Sequence, residues 1–205
     1  MKKLKVLITC GATWVAIDDV RVISNISSGE MGHVIAQAFS AKKADVTILE
    51  GPVTHALTDK KIKIIKYFFF DELAATLKKE LVKNYDIVIH AAAISDFKVK
   101  GASKSKISSQ KTLSLDLIAT PKIINDIKRL SPKSFLVGFK LETKFNLNEI
   151  FKEVRSLFTD SCCDLVVANT LKGGYKGYII DADGKIMAQV SSKEQVAQHL
   201  VKLII

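Results

Sequence analysis

Residues 5–43 read KVLITCGATWVAIDDVRVISNISSGEMGHVIAQAFSAKK. A β-branched apolar run at residues 5–9 gives way to a long connection rich in Gly, Ser, Asn and Asp, and then to apolar residues at helical spacing over residues 33–43. A short, nearly continuous apolar run suits a strand buried on both faces of a parallel sheet. The same order repeats down the chain, with apolar runs at residues 45–49, 61–67, 86–90, 135–139 and 164–168. Between them, helical patterns occupy residues 71–83, 121–130 and 147 to about 159. The alternation predicts an α/β fold, a doubly wound, mostly parallel Rossmann-like sheet with helices on both faces.

Two segments depart from this rhythm. Residues 97–119 have no helical period: KVKGASKSKISSQK leads into the alternating TLSLDLIAT, a lysine-rich flap running into a strand. In YIIDADGKIMAQV, residues 178–190, an Asp-Gly pair between two apolar runs predicts a C-terminal β-hairpin. Residues 192–205 then read as a helix capped by Ser191 or Ser192, with Glu194 in its first turn. With no internal repeat and no linker, residues 1–205 are expected to form a single domain.

Composition narrows the partners. The net charge of +10 comes from 31 basic against 21 acidic residues, and only Arg21, Arg129 and Arg155 are arginines. Lysine excess favours anionic ligands, yet no arginine cluster or nucleic-acid motif accompanies it, so the expected anions are small phosphorylated molecules and no nucleic acid is expected. Cys10, Cys162 and Cys163 have neither metal-ligand nor disulfide-framework spacing, which points to a reducing, cytoplasmic setting. The opening MKKLKVLITCGATW lacks the cleavage pattern of a signal peptide, and nothing approaches the roughly 18 apolar residues of a membrane span.

In such a sheet, ligands bind beyond the carboxyl ends of the strands. The first connection lacks GxGxxG, because Gly11 is followed by Ala12 and Thr13 and the next glycines are Gly29 and Gly32. A nicotinamide fingerprint is therefore missing. SSGEMG precedes a helix, so the N–H groups around Ser28, Gly29 and Glu30 can face an anion; equally, Ser27 or Ser28 can simply cap the helix. Asn25 reads either as a turn former or as a neutral donor to a developing oxyanion. In HAAAISDF, residues 90–97, the alanines leave room for a flat ligand, and Asp96 suits Mg²⁺ or a ribose hydroxyl, or else a turn cap. His90, inside an apolar run, reads as a core histidine. Lys98, Lys100, Lys104, Lys106 and Lys111 form either a solvated loop or a cationic lid over a phosphate site.

The chain resembles the phosphopantothenoylcysteine synthetase family. ITCGATWVAIDDVRVISNISSGEMG is similar to that family's TxGGTxExIDxVRxIxNxSSGxMG, HAAAISDFKV to AAAVSDF, SKIS to the KIK flap, IATPKII to TPDIL, VGFKLET to VGFxxET and DLVVANT to DxIVAN. The landmarks fall in the family's order along nearly the whole chain. The resemblance implies a stand-alone ligase without the flavin decarboxylase module, needing no flavin. It implies that 4′-phosphopantothenate is activated by a nucleoside triphosphate, CTP or alternatively ATP, with Mg²⁺, and that L-cysteine then displaces the nucleotide. It implies a homodimer, and a separate decarboxylase acting on the product. By matched position, Asn25 and Lys106 would be catalytic, Lys106 on the triphosphate. Gly11, Ala92, Asp96 and Phe139 would line the nucleotide site, and Ser28, Gly29 and Gly32 would shape the acyl-phosphate loop. Ala12 stands where the family often has a second Gly, and Leu157 and Ser161 stand near the places of a nucleotide-contacting lysine pair.

Two other classes would leave different marks on the sequence. A short-chain NAD(P)-dependent reductase needs Tyr-x-x-x-Lys, and none of Tyr67, Tyr85, Tyr175 and Tyr178 has a lysine four residues on. A non-catalytic nucleotide-binding module would bind in a salt-sensitive way without turnover.

Overall fold

The computed structural model describes residues 3–109, 112–143 and 146–205. Along the chain run β1 (Lys5–Cys10), β2 (Trp14–Ala16), β3 (Val22–Ser24), α1 (Glu30–Ala41), β4 (Asp45–Glu50), β5 (Lys63–Lys66), α2 (Phe70–Leu81) and β6 (Ile87–His90). They continue as β7 (Phe97–Val99), β8 (Leu117–Ala119), α3 (Ile124–Leu130), β9 (Phe135–Leu141), α4 (Leu147–Thr159), β10 (Leu165–Thr170), β11 (Lys176–Asp181), β12 (Ile186–Val190) and α5 (Lys193–Ile204).

The main sheet has eight strands in the order β12-β11-β10-β9-β6-β1-β4-β5. All pairs from β10 to β5 are parallel, and the β11–β12 hairpin adds an antiparallel edge. From β1 the chain winds outward to β4 and β5, then returns to β6 and winds the other way, so strand order reverses between β1 and β6. That reversal opens a crevice at the carboxyl ends of these two strands.

Apolar side chains alternate between two cores, as the pleat requires. Val6, Ile8 and Val137 join Ile35 and Phe39 of α1 and Val196 and Leu200 of α5 on one face. Leu7, Val88 and Leu136 join Leu73 and Leu77 of α2, Ile127 of α3 and Ile150 and Val154 of α4 on the other. The doubly wound layering is therefore as the sequence predicts.

Boundaries shift in places. α1 begins at Glu30 rather than at residue 33, with Gly32 inside it, because burial of Ile35 and Phe39 holds the helix in register ahead of its weak helix formers. The third helix starts at Ile124, past Pro121, since the residue before a proline is driven out of helical geometry and the chain needs a turn to re-enter it. Two short ribbons, β2–β3 and β7–β8, lie outside the main sheet. No helix among the described residues is long and apolar enough to cross a membrane.

Candidate active site

The connections after β1 and β6 meet over the crevice. Gly11 O accepts from Ala93 N at 2.8 Å, and Thr13 N donates to Ala93 O at 3.4 Å. Gly11 has φ 81°, and a Cβ there would lie 2.9 Å from Pro52 O, so the turn out of β1 demands glycine. Gly29 also has φ 75°, with Val53 Cγ1 2.2 Å from where its Cβ would stand. Residues 51–54, GPVT, thus floor both glycine turns, and Thr54 N donates to Ser28 O at 3.2 Å. Their Gly-Pro pair signals a turn, but nothing local signals which loops rest on it.

The alternatives for SSGEMG separate here. The residue flanking α1 is Gly29, in the left-handed region and with no side-chain cap; Ser28 Oγ accepts only a long 3.4 Å bond from Glu30 N. A missing cap costs helices about 1 kcal/mol. Full burial of Ile35 and Phe39 contributes about 1.5–3 kcal/mol each, so packing offsets it and α1 forms anyway. The first turn of α1 therefore presents backbone N–H groups and the positive end of its dipole beside the crevice.

Asn25, exposed just after β3, donates through Nδ2 to Ala93 O at 3.2 Å and Ile94 O at 3.1 Å. It ties the β2–β3 ribbon to the connection after β6. In that connection Ala92 N donates to Thr9 Oγ1 at 3.3 Å, and Thr9 Oγ1 lies 3.0 Å from His90 Nδ1. His90 is buried, and burial pushes its pKa down to about 4, so it is a neutral core residue that braces Thr9, as its apolar surroundings predict. Asp96 is exposed and ion-paired with Lys122, while its backbone O accepts from Thr120 N at 2.9 Å at the root of the β7–β8 ribbon.

The flap is gripped by residues for which sequence reading supplied no role. Asp18 is buried; it accepts from Val20 N at 3.0 Å and Arg21 N at 2.8 Å through Oδ1, and from Ile107 N at 3.0 Å through Oδ2. Arg21 pairs with Asp18 at 3.3 Å and donates through Nη2 to Ile107 O at 3.1 Å. Ser103 N donates to Ile17 O at 3.1 Å. The Ile107 N–H is the main influence holding the Asp18 carboxyl below its usual range; desolvation opposes it, and the N–H groups of Val20 and Arg21 assist. Both backbone polar groups of Ile107 are thereby fixed, and the exposed Lys106 precedes them directly. In the sequence Asp18 and Arg21 stand three apart, with no local indication of a partner 89 residues from Asp18. Lys98, Lys100 and Lys104 are likewise exposed, and Lys111 lies outside the described residues.

Gly11, Asn25, Ser28, Gly29, Ala92 and Asp96 are thus brought to the strand ends around the β1–β6 crevice. Gly32 lies beneath, where a Cβ would come within 2.2 Å of Cys10 Cβ, so it seats α1 tightly on β1. Phe139, half-buried on β9, packs with the α1 and α5 core, whereas Ala92 packs with the opposite one, so the sheet lies between them. Leu157 packs α4 into the core, and the buried Ser161, just past the end of α4, donates to Asn125 Oδ1 of α3 at 2.7 Å.

Residues 1–205 match the family described as the DNA/pantothenate metabolism flavoprotein C-terminal domain. Over 170 residues, the chain is 41% identical to the coenzyme A biosynthesis bifunctional protein CoaBC of Thermococcus kodakarensis, a match covering 82% of this chain and 41% of that protein. The chain spans about half the length of other curated relatives that it matches. Its fold matches the DNA/pantothenate metabolism flavoprotein of Streptococcus pneumoniae with a TM-score of 0.87 at 24% identity, covering 98% of both chains. It also matches Cab2 mutant H337A, solved in complex with phosphopantothenate-cysteine, with a TM-score of 0.81 at 17% identity, covering 98% of this chain and 86% of that one.

Proposed function

Because the chain belongs to the DNA/pantothenate metabolism flavoprotein C-terminal domain family, we propose that it is a phosphopantothenate–cysteine ligase of coenzyme A biosynthesis. The observation that carries this reading is the Asp18–Arg21 grip on Ile107, which sets a lysine flap on the same connection that forms the anion-binding turn before α1. Two polyanionic substrates repel, and a cationic flap facing a helix N-terminus offsets that repulsion.

In the first half-reaction a carboxylate oxygen of 4′-phosphopantothenate attacks the α-phosphorus of a nucleoside triphosphate, and pyrophosphate leaves. In the second, the amine of L-cysteine attacks the acyl carbon, the nucleoside monophosphate departs and the amine gives up a proton. Lys106 faces the charge that develops on the triphosphate. Ser28, Gly29 and the α1 N-terminus face the acyl phosphate, with Gly32 fixing the helix position. Asn25 is at the junction of the two loops and contacts the acyl-nucleotide; its bonds to Ala93 and Ile94 support that position. Gly11, Ala92 and Phe139 contact the nucleotide, the last two from opposite faces of the sheet.

Asp96 is an exposed oxygen donor, the kind of ligand that Mg²⁺ shares with phosphate oxygens, and its Lys122 partner would turn to phosphate on binding. When bound, Mg²⁺ would neutralise phosphate charge. CTP is the proposed nucleotide, with ATP as the alternative. A homodimer is supported by apolar side chains on the two ribbons and beside them, Val22, Ile23, Ile26, Phe97, Leu117 and Ile118, all exposed in one chain.

The test is incubation with 4′-phosphopantothenate, L-cysteine, Mg²⁺ and CTP or ATP, reading pyrophosphate and nucleoside monophosphate. Equal release of both, dependent on all substrates, is expected. No product with either nucleotide overturns the reading.

A further inference from the structure

Beneath the glycine turns, a second cluster joins the carboxyl ends of β1 and β4 to the first turn of α1. Cys10 and Glu50 are register partners in the β1–β4 pair, and both are buried. His33 Nε2 lies 2.6 Å from Glu50 Oε2, and its side chain is 11% exposed. The Cys10 sulfur, a His33 nitrogen and a Glu50 oxygen all lie within 4.8 Å of one another. Lys66, at the end of β5, pairs with the other oxygen of Glu50 while its own side chain stays 52% exposed.

We propose that Cys10, His33 and Glu50 form a site for a divalent transition-metal ion of the zinc class, with a fourth position open toward Lys66. Metal–ligand distances of about 2.0–2.3 Å in a tetrahedral site separate neighbouring donors by about 3.3–3.5 Å. The present arrangement needs only sub-ångström adjustments at His33 and Glu50 and a modest approach of the sulfur. The scaffold is already fixed, because the parallel register holds Cys10 beside Glu50 and the contact of Gly32 on Cys10 sets the depth of α1. One sulfur, one nitrogen and one oxygen suit a borderline-soft ion, whereas Mg²⁺ demands oxygen donors, so this site is separate from any nucleotide-bound magnesium.

Entry starts at Lys66, the half-exposed member of the cluster. Lys66 leaves Glu50 for solvent, the thiol proton of Cys10 passes to water, and the ion takes their place on the carboxylate and sulfur. The ion and the lysine therefore compete for Glu50. Occupancy would clamp α1 to β1 and β4 directly below the anion-binding turn.

The test is titration of the full chain with Co²⁺, followed by competition with Zn²⁺. One equivalent bound per chain is expected, with a thiolate-to-cobalt charge-transfer band and the visible bands of tetrahedral cobalt. Cys10→Ser should abolish the charge-transfer band, and His33→Gln should weaken binding by roughly a hundredfold. Lys66→Met should tighten it about tenfold, by removing the competitor. At one fixed Zn²⁺ concentration the rise in melting temperature should be largest in Lys66→Met, smaller in the parent chain and smallest in His33→Gln. A control with Cys162→Ser and Cys163→Ser together should keep the band. No band in the parent chain, a band surviving Cys10→Ser, or one lost in the double control would each overturn the site. If Cys10→Ser fails to fold, the His33→Gln and Lys66→Met affinities decide, and unchanged values in both refute it.

Discussion

Asp18→Asn isolates the grip on the flap. The two oxygens of this carboxylate divide their work: Oδ1 accepts from Val20 and Arg21 within the turn, and Oδ2 accepts from Ile107, 89 residues away. An amide placed with its oxygen at Oδ1 keeps the local turn but sets an NH₂ against the Ile107 N–H, donor against donor. The Arg21 guanidinium also loses its ionic partner, leaving only its bond to Ile107 O. The flap should then swing on the remaining contacts. Misplacing a charged group by about 1 Å can cost on the order of a hundredfold, so in the proposed ligase reaction kcat/KM for the nucleotide should fall roughly ten- to a hundredfold. The melting temperature should fall by several degrees, since an N–H left facing a donor at the buried Asp18 position costs about 1–3 kcal/mol, but the fold should stay intact because none of these bonds lies in the two apolar cores. The assay pairs pyrophosphate release against nucleotide concentration with amide hydrogen exchange at Ile107. The sign with pH follows from the lowered Asp18 pKa: the carboxylate is charged above its ordinary value near 3.8, and the grip is lost only as pH falls through the lower folded value. Ile107 protection should therefore be flat from about pH 5 to pH 9 in the parent chain. Full protection of Ile107 in Asp18→Asn with undiminished kcat/KM would refute the reasoning. So would a loss that merely tracks global unfolding.

Two further outcomes are expected. Asn25→Asp turns two donated bonds into carboxylate–carbonyl repulsions, which should lower stability by about 1–2 kcal/mol and the melting temperature by about 2–8 °C. On the proposed ligase reaction it should slow cysteine attack more than activation; rapid-quench single turnover should then trap acyl nucleotide, and equal slowing of both steps removes the assigned role. His90 has a folded pKa of about 4 against the ordinary 6.5, so the unfolded chain binds the extra proton between those values. Stability should be full above about pH 6.5 and fall by up to about 3 kcal/mol as pH drops toward 4, and urea unfolding of His90→Gln should show a flatter pH dependence. A parent chain with no slope in that window contradicts a neutral buried His90.

Much of the fold is legible in short windows. The apolar runs and helical spacing give six parallel strands and the intervening helices, because burial on both faces imposes its pattern residue by residue. Ser192 caps α5 through Gln195 N at 3.2 Å, and Gly184 takes φ 78° in the hairpin, both as local chemistry dictates. Three ribbon strands lack such a signal: β2, β3 and β7 have three residues each, too few for any period, whereas β8 falls within the strand that the alternation of TLSLDLIAT predicts.

By itself, the sequence determined the layering of the fold, the glycine- and serine-rich turn before α1 and a lysine-rich flap, since each rests on residues near one another in the chain. Tertiary structure alone decided that Asp18 seizes Ile107, that GPVT floors the two glycine turns, that Phe139 and Ala92 fall on opposite faces, and that Cys10, His33 and Glu50 converge. Those depend on the order of parallel strands, and strand order juxtaposes connections that no local pattern records.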